Sequence, residues 1–215
     1  MKLIVSDFDL TFFDENYDEN IELINNFVDK GNMLVIATGR SCELLKKEIE
    51  NKNIKFKYLI CSDGAVILDE NLNILRQIVF DDYITEIIEI LKKDTNLLSI
   101  DIDSNNLGIS GVYCVFNDME YAKKVLENIL NKYNVDGYVT NHGINIINKG
   151  ISKLDGIDYI KDILKIKEED IYTVGDNVND LEMIEKYNGY WINGNKVNNV
   201  DNFKEFIKLI GDKTA

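Results

Sequence analysis

Proline is absent from this 215-residue chain, tryptophan and histidine occur once each, and there are only three cysteines. The missing proline is a compositional bias without functional content. Cys42, Cys61 and Cys114 are odd in number, far apart and form no C-x-x-C. That excludes a disulfide frame and a thiolate zinc site, and it fits reduced thiols in a cytoplasm. No apolar run approaches the roughly 18 residues of a membrane span. The short apolar run after Lys2 ends in acid, so the N-terminus does not read as a signal peptide. Basic residues are scarce: 24 Lys and Arg face 38 Asp and Glu, a formal charge of −14. Without a basic cluster, nucleic acid and anionic membrane surfaces are excluded as partners. Internal repeats and low-complexity linkers are also missing. The hydrophobic content, 45%, is ample for a core. The length suits one large domain, or a medium one with a smaller companion.

Continuous apolar runs at residues 2–6, 33–37, 58–61, 171–174 and 190–192 read as buried strands. Between the first two, Ile21, Leu23, Ile24, Phe27 and Val28 recur at helical spacing, and Gly31 supplies a helix stop. Ser41 is a natural N-cap for a helix over 43–50. A hairpin comes after Ser62-Asp63-Gly64, over 66–68 and 74–80. From Asp81 the pattern changes to helix (83–93), strands (97–102 and 111–116), helix (119–133) and a hairpin (138–140 with 144–147). Those strands alternate like half-exposed antiparallel ones. After Gly150, helices and buried strands alternate again. The expected fold is α/β: a doubly wound, Rossmann-like parallel sheet formed by 1–81 and 150–215. An α+β second domain, 82–149, is inserted into it.

The N-terminal strand runs into Asp7-Phe8-Asp9-Leu10-Thr11. Carboxylates at the C-terminal end of such a strand face the crevice where open α/β sheets bind ligands. One residue apart, Asp7 and Asp9 are expected on the same side. The spacing alone is cheap, because a chain this acidic holds roughly two D-x-D pairs by chance. A second does occur, Asp101-Ile102-Asp103, without a trailing Thr and without expected partners. The first pair is distinguished by its companions at later strand and helix ends. In order these are Ala37-Thr38-Gly39-Arg40, Lys153, and Gly175-Asp176-Asn177-Val178-Asn179-Asp180.

This ordered set, over essentially the whole chain, resembles the haloacid dehalogenase-like phosphohydrolases. The insert between the second and third motifs resembles the class IIB cap of their Cof-type branch. The resemblance implies a phosphatase that hydrolyses a small phosphorylated metabolite, a sugar phosphate or similar phosphomonoester, through an aspartyl-phosphate. It casts Asp7 as nucleophile and Asp9 as general acid and base, a role favouring a carboxyl with acidic neighbours and partial burial. Mg²⁺, a hard ion that takes oxygen ligands, would be held by the Asp7 carboxylate, the Asp9 carbonyl and Asp176. Asp180 would orient the metal waters or Lys153. Thr38, the N–H of Gly39, Lys153 and Asn179 would bind the phosphoryl group, with Asn179 alternatively positioning Asp180.

Other residues keep two readings. Arg40 either reaches the site or caps the preceding turn. His142 is an exposed residue of the cap hairpin or a substrate contact across the crevice. Cys42 reads as a buried, inert thiol. Asp63 stands where relatives commonly carry Asn, and either joins the site or makes a tight turn. Passing the phosphoryl group to a hydroxyl would make the chain a sugar-phosphate phosphotransferase or mutase. A receiver-like signalling module would share the acids, Thr and Lys, but not the insert, and its phospho-accepting Asp ends a middle strand. The remaining expectations are a cytoplasmic location and a monomer or small homo-oligomer.

Overall fold

The computed structural model describes residues 1–194 and 198–212. Its first half runs β1 (Leu3–Asp7), α1 (Tyr17–Asp29), β2 (Met33–Ala37), α2 (Cys42–Ile49), β3 (Tyr58–Cys61), β4 (Val66–Asp69) and β5 (Ile74–Gln77). Next come α3 (Tyr83–Lys92), β6 (Leu97–Asn105), β7 (Gly108–Phe116), α4 (Met119–Lys132), β8 (Val135–Val139) and β9 (Gly143–Asn148). The chain closes with α5 (Lys153–Leu164), β10 (Ile171–Gly175), α6 (Leu181–Lys186), β11 (Asn188–Ile192), β12 (Asn199–Val200) and α7 (Phe203–Asp212).

One sheet has the order β12-β11-β10-β1-β2-β3-β4-β5. It is parallel from β12 to β3, and the β4–β5 hairpin extends it antiparallel. The side-chain period of two sorts each strand between two layers. Ile4, Leu34, Ile36 and Leu59 pack against α1, α2 and α7, and Leu3, Val5, Val35 and Ile60 against α5 and α6. Asp7 has the parity of Leu3 and Val5. Its carboxylate therefore emerges on the face that α5 and α6 cover, at the edge where the strand ends.

A separate four-stranded antiparallel sheet, β6-β7-β9-β8, carries α3 and α4 and has its own apolar cluster around Ile87, Leu91, Val112 and Ile144. The sequence pattern puts its first strand at 97–102, but β6 continues to Asn105. That extension carries Asp103 across to the first sheet. The expected helices are present, with Ser41 capping α2 through an acceptor bond from the Leu44 N–H, and Gly31 ending α1 at φ +86°. Among the described residues no helix is long and apolar enough to cross a membrane.

Candidate active site

β1 ends at Asp7, and the alternation that would keep Asp9 beside it ends there too. The chain turns through Leu10, held at φ +58°, and is pinned by stacked Phe8 and Phe13 with Tyr17 edge-on to both. The two carboxylates of the motif have different partners. Asp7 accepts from Lys153 Nζ at 2.5 Å. Asp9 accepts from Arg40 at both oxygens, Nε at 2.9 Å and Nη2 at 2.5 Å. The Asp9 side chain is 46% exposed, and its neighbour is a guanidinium lying over the Phe8 and Phe13 rings. Asp9 is thus partly buried, as expected, but its nearest charged partner is a cation. Arg40 is thereby settled as a partner of the motif.

Lys153 opens α5, where Ser152 caps the helix, and only 1% of its side chain is exposed. Its ammonium also donates to Asp180 Oδ1 at 2.7 Å. The other Asp180 oxygen accepts the backbone N–H groups of Asp176 and Asn177, at 3.1 and 3.0 Å. Both oxygens of this fully buried carboxylate are thus engaged, and the β10–α6 loop is wound around it. Gly175 makes that winding feasible: a Cβ there would lie 2.5 Å from Asp180 Cγ. Asp176 accepts from Thr11 Oγ1 at 3.0 Å, so the last residue of the first motif orients the first acid of the last one.

The electrostatics are set by burial. Burial, then the Asp180 charge, hold Asp7 well above the usual carboxylate range, with Lys153 acting against them. Asp176 is raised by the same two causes, burial first. Burial lowers the proton affinity of Lys153, but Asp180 and Asp7 more than offset it, and the ammonium is held charged. Asp7, Asp176 and Asp180 each offer an oxygen, and these oxygens lie within 4.8 Å of one another. One lysine cannot neutralise three such carboxylates, and an all-oxygen donor set suits a hard divalent cation. Because both Asp180 oxygens are taken, the donors that fit Mg²⁺ are Asp7 and Asp176.

Thr38 is buried beyond β2, and its Oγ1 accepts the Arg40 N–H at 3.1 Å. Gly39 lies beneath a polar group that the motifs did not announce. A Cβ on Gly39 would meet Tyr138 Oη at 2.7 Å, Asn145 Nδ2 at 3.0 Å and Asp63 Oδ2 at 3.1 Å. Asn179, expected on the phosphate or on Asp180, donates to Asp63 Oδ1 and to Tyr138 Oη, each at 2.9 Å. The second D-x-D also has partners after all. Asp103 accepts from Ser62 Oγ at 2.5 Å and from the Cys42 N–H at 3.3 Å. Beside Gly39, a cleft between the two sheets is lined by Ser62, Asp63, Asp101, Asp103, Tyr113 and Asn145. Cys42 is buried, as are the other two thiols, and His142 is exposed at the β8–β9 turn. Thr11, Tyr138 and Asn145 went unread in the sequence. Only Thr11 carried a signal there, as the closing residue of the first motif.

Carboxylates around a buried ammonium at parallel strand ends, under an inserted sheet, define a hydrolase of the haloacid dehalogenase type. The family model of the haloacid dehalogenase-like hydrolases matches residues 4–111 and 95–207, and the chain belongs to that family as a Cof-type member. A curated relative is the Bacillus subtilis 5-amino-6-(5-phospho-D-ribitylamino)uracil phosphatase YcsE. It is 26% identical over 204 residues, covering 86% of this chain and 81% of its own. Among solved structures, a haloacid dehalogenase-like hydrolase from B. subtilis superposes with a TM-score of 0.81 at 15% identity, covering 98% of this chain and 99% of its own. A subclass IIB sugar phosphatase gives 0.76 at 17% identity, covering 100% and 99%.

Proposed function

We propose that the chain is a Mg²⁺-dependent phosphatase acting on a small phosphomonoester, with 1–81 and 150–215 as catalytic core and 82–149 as its cap. The observation that carries this reading is Asp7 at the end of β1, bonded to the buried Lys153 and beside Asp176 and Asp180. Asp7 attacks phosphorus, the ester oxygen leaves, and water then hydrolyses the aspartyl-phosphate. Lys153 fixes the Asp7 carboxylate and offsets charge on the transferring group. Thr38 and the Gly39 N–H face the phosphoryl oxygens at the start of α2. Asp9 protonates the leaving oxygen and later takes a proton from water, with Arg40 holding both its oxygens between those events. Asp7, Asp176 and the Asp9 carbonyl would hold Mg²⁺, which would supply charge neutralisation on the phosphoryl oxygens.

The cleft beside Gly39 supports a narrower reading of the leaving group. Asp101 and Asp103 can accept hydrogen bonds from a ligand, and with Asp63 they repel anions, which suits sugar or polyol hydroxyls and disfavours a second phosphate. Release of inorganic phosphate from an aryl phosphate in Mg²⁺ tests the proposal. The wild type is expected to turn over many times, and Asp7→Asn to fold normally and release none. Activity retained by that variant sinks it.

A further inference from the structure

The turn between β3 and β4 holds three successive residues at positive φ: Ser62 at +48°, Asp63 at +53° and Gly64 at +108°. Two of them carry side chains, and such a run is strained and persists only where its surroundings over-determine it. Both side chains cross to the inserted sheet. Ser62 donates to Asp103 on β6, and Asp63 Oδ2 accepts from Tyr138 Oη on β8 at 2.8 Å. Asp63 is 2% exposed, and its second oxygen accepts from Asn179.

The donor and acceptor count closes. The Tyr138 hydroxyl gives its one proton to Asp63 and accepts from Asn145 at 2.5 Å and Asn179 at 2.9 Å. The Asn179 amide spends both protons, one on Asp63 and one on Tyr138. An ionised carboxylate at position 63 only accepts, so it can take both of these bonds. An asparagine there would set an amide nitrogen against either the Asn179 amide or a hydroxyl oxygen that already accepts twice.

We propose that Asp63, Tyr138 and Asn179 form a clasp that seats the cap on the core, and that Asp63 and Asn179 are positioning residues acting through it. This rests on the phosphatase reading only for its catalytic consequence. Seating closes the cap over Gly39 and excludes bulk water during phosphoryl transfer. Asn179 is then a cap anchor as well as a residue of the last motif.

Asp63 and Tyr138 share one hydrogen bond, so their losses should not add, which gives a sharp test. The variants are Asp63→Asn, Tyr138→Phe and the double of the two. Two readouts are taken on the full-length chain. The first is amide hydrogen exchange across residues 61–65, which the cap covers, and the second is kcat and KM for aryl phosphate hydrolysis. Tyr138→Phe and Asp63→Asn are each expected to speed exchange and to lower kcat about tenfold, the scale of one charge-assisted hydrogen bond. The double variant is expected to lose no more than either single one. Losses that multiply in the double variant, or unchanged exchange in Tyr138→Phe, overturn the clasp. A wild type that releases no phosphate overturns the phosphatase reading alone, and the exchange arm still decides the clasp.

Discussion

Lys153 Nζ lies 2.5 Å from Asp7 Oδ1 in a place where neither group meets bulk water. The same ammonium holds Asp180, so removing it strands two buried carboxylates. Breaking a buried ion pair from one side costs about 3–5 kcal/mol. Lys153→Met is therefore expected to unfold at distinctly lower urea than the wild type. A midpoint within error of the wild type would show that the carboxylates are compensated elsewhere.

Asp7 and Asp176 are both held above their unfolded-state proton affinity, by burial first and then by Asp180. Between the unfolded and folded values the folded chain binds more protons, so these groups make stability fall as pH rises through that window. A divalent cation binds the ionised carboxylates and competes with those protons. The Mg²⁺-induced rise in Tm is accordingly expected to be larger at about pH 8 than at about pH 5. It is expected to vanish in Asp176→Asn. Equal shifts at the two pH values, read by thermal unfolding, would exclude this site as the place of binding.

Gly175 owes its identity to Asp180 rather than to backbone freedom. Gly175→Ala places a methyl 2.5 Å from the Asp180 Cγ, against a carboxylate tied at both oxygens. Overpacking of this kind costs about 1–3 kcal/mol. Phosphate release should fall with it, because Lys153 loses its second anchor. Urea unfolding and a phosphate assay on the same preparation check both effects.

The acidic lining of the cleft predicts discrimination by charge. A sugar monophosphate should be hydrolysed at least about tenfold faster, in kcat/KM, than its bisphosphate counterpart, a ratio of about 1.4 kcal/mol. Asp103→Asn should narrow the gap by removing one of the repelling charges. A bisphosphate handled as well as the monophosphate would exclude the hydroxyl-donor reading of the leaving group.

The fold was legible because its signals are local. Apolar runs over 33–37 and 171–174 mark buried parallel strands, and Ser41 and Gly31 mark helix ends. The residues around Lys153 were legible through motif order, since strand ends in this topology converge. Illegible features depend on contact between segments far apart in sequence. Nothing local says that Asp103 reaches Ser62, or that Tyr138 meets Asp63 across 75 residues. The different partners of Asp7 and Asp9 were also hidden, because period-two alternation holds only while the strand lasts, and β1 ends at Asp7.

Covalent phosphoryl transfer to Asp7 is tested by acid-quenching the enzyme during turnover. Borohydride reduction of the quenched protein and subsequent peptide fragmentation locate any acyl-phosphate. Modification is expected at Asp7, none at Asp9, and none in Asp7→Asn. Sustained phosphate release with no adduct at Asp7, or with an adduct on another residue, would contradict it.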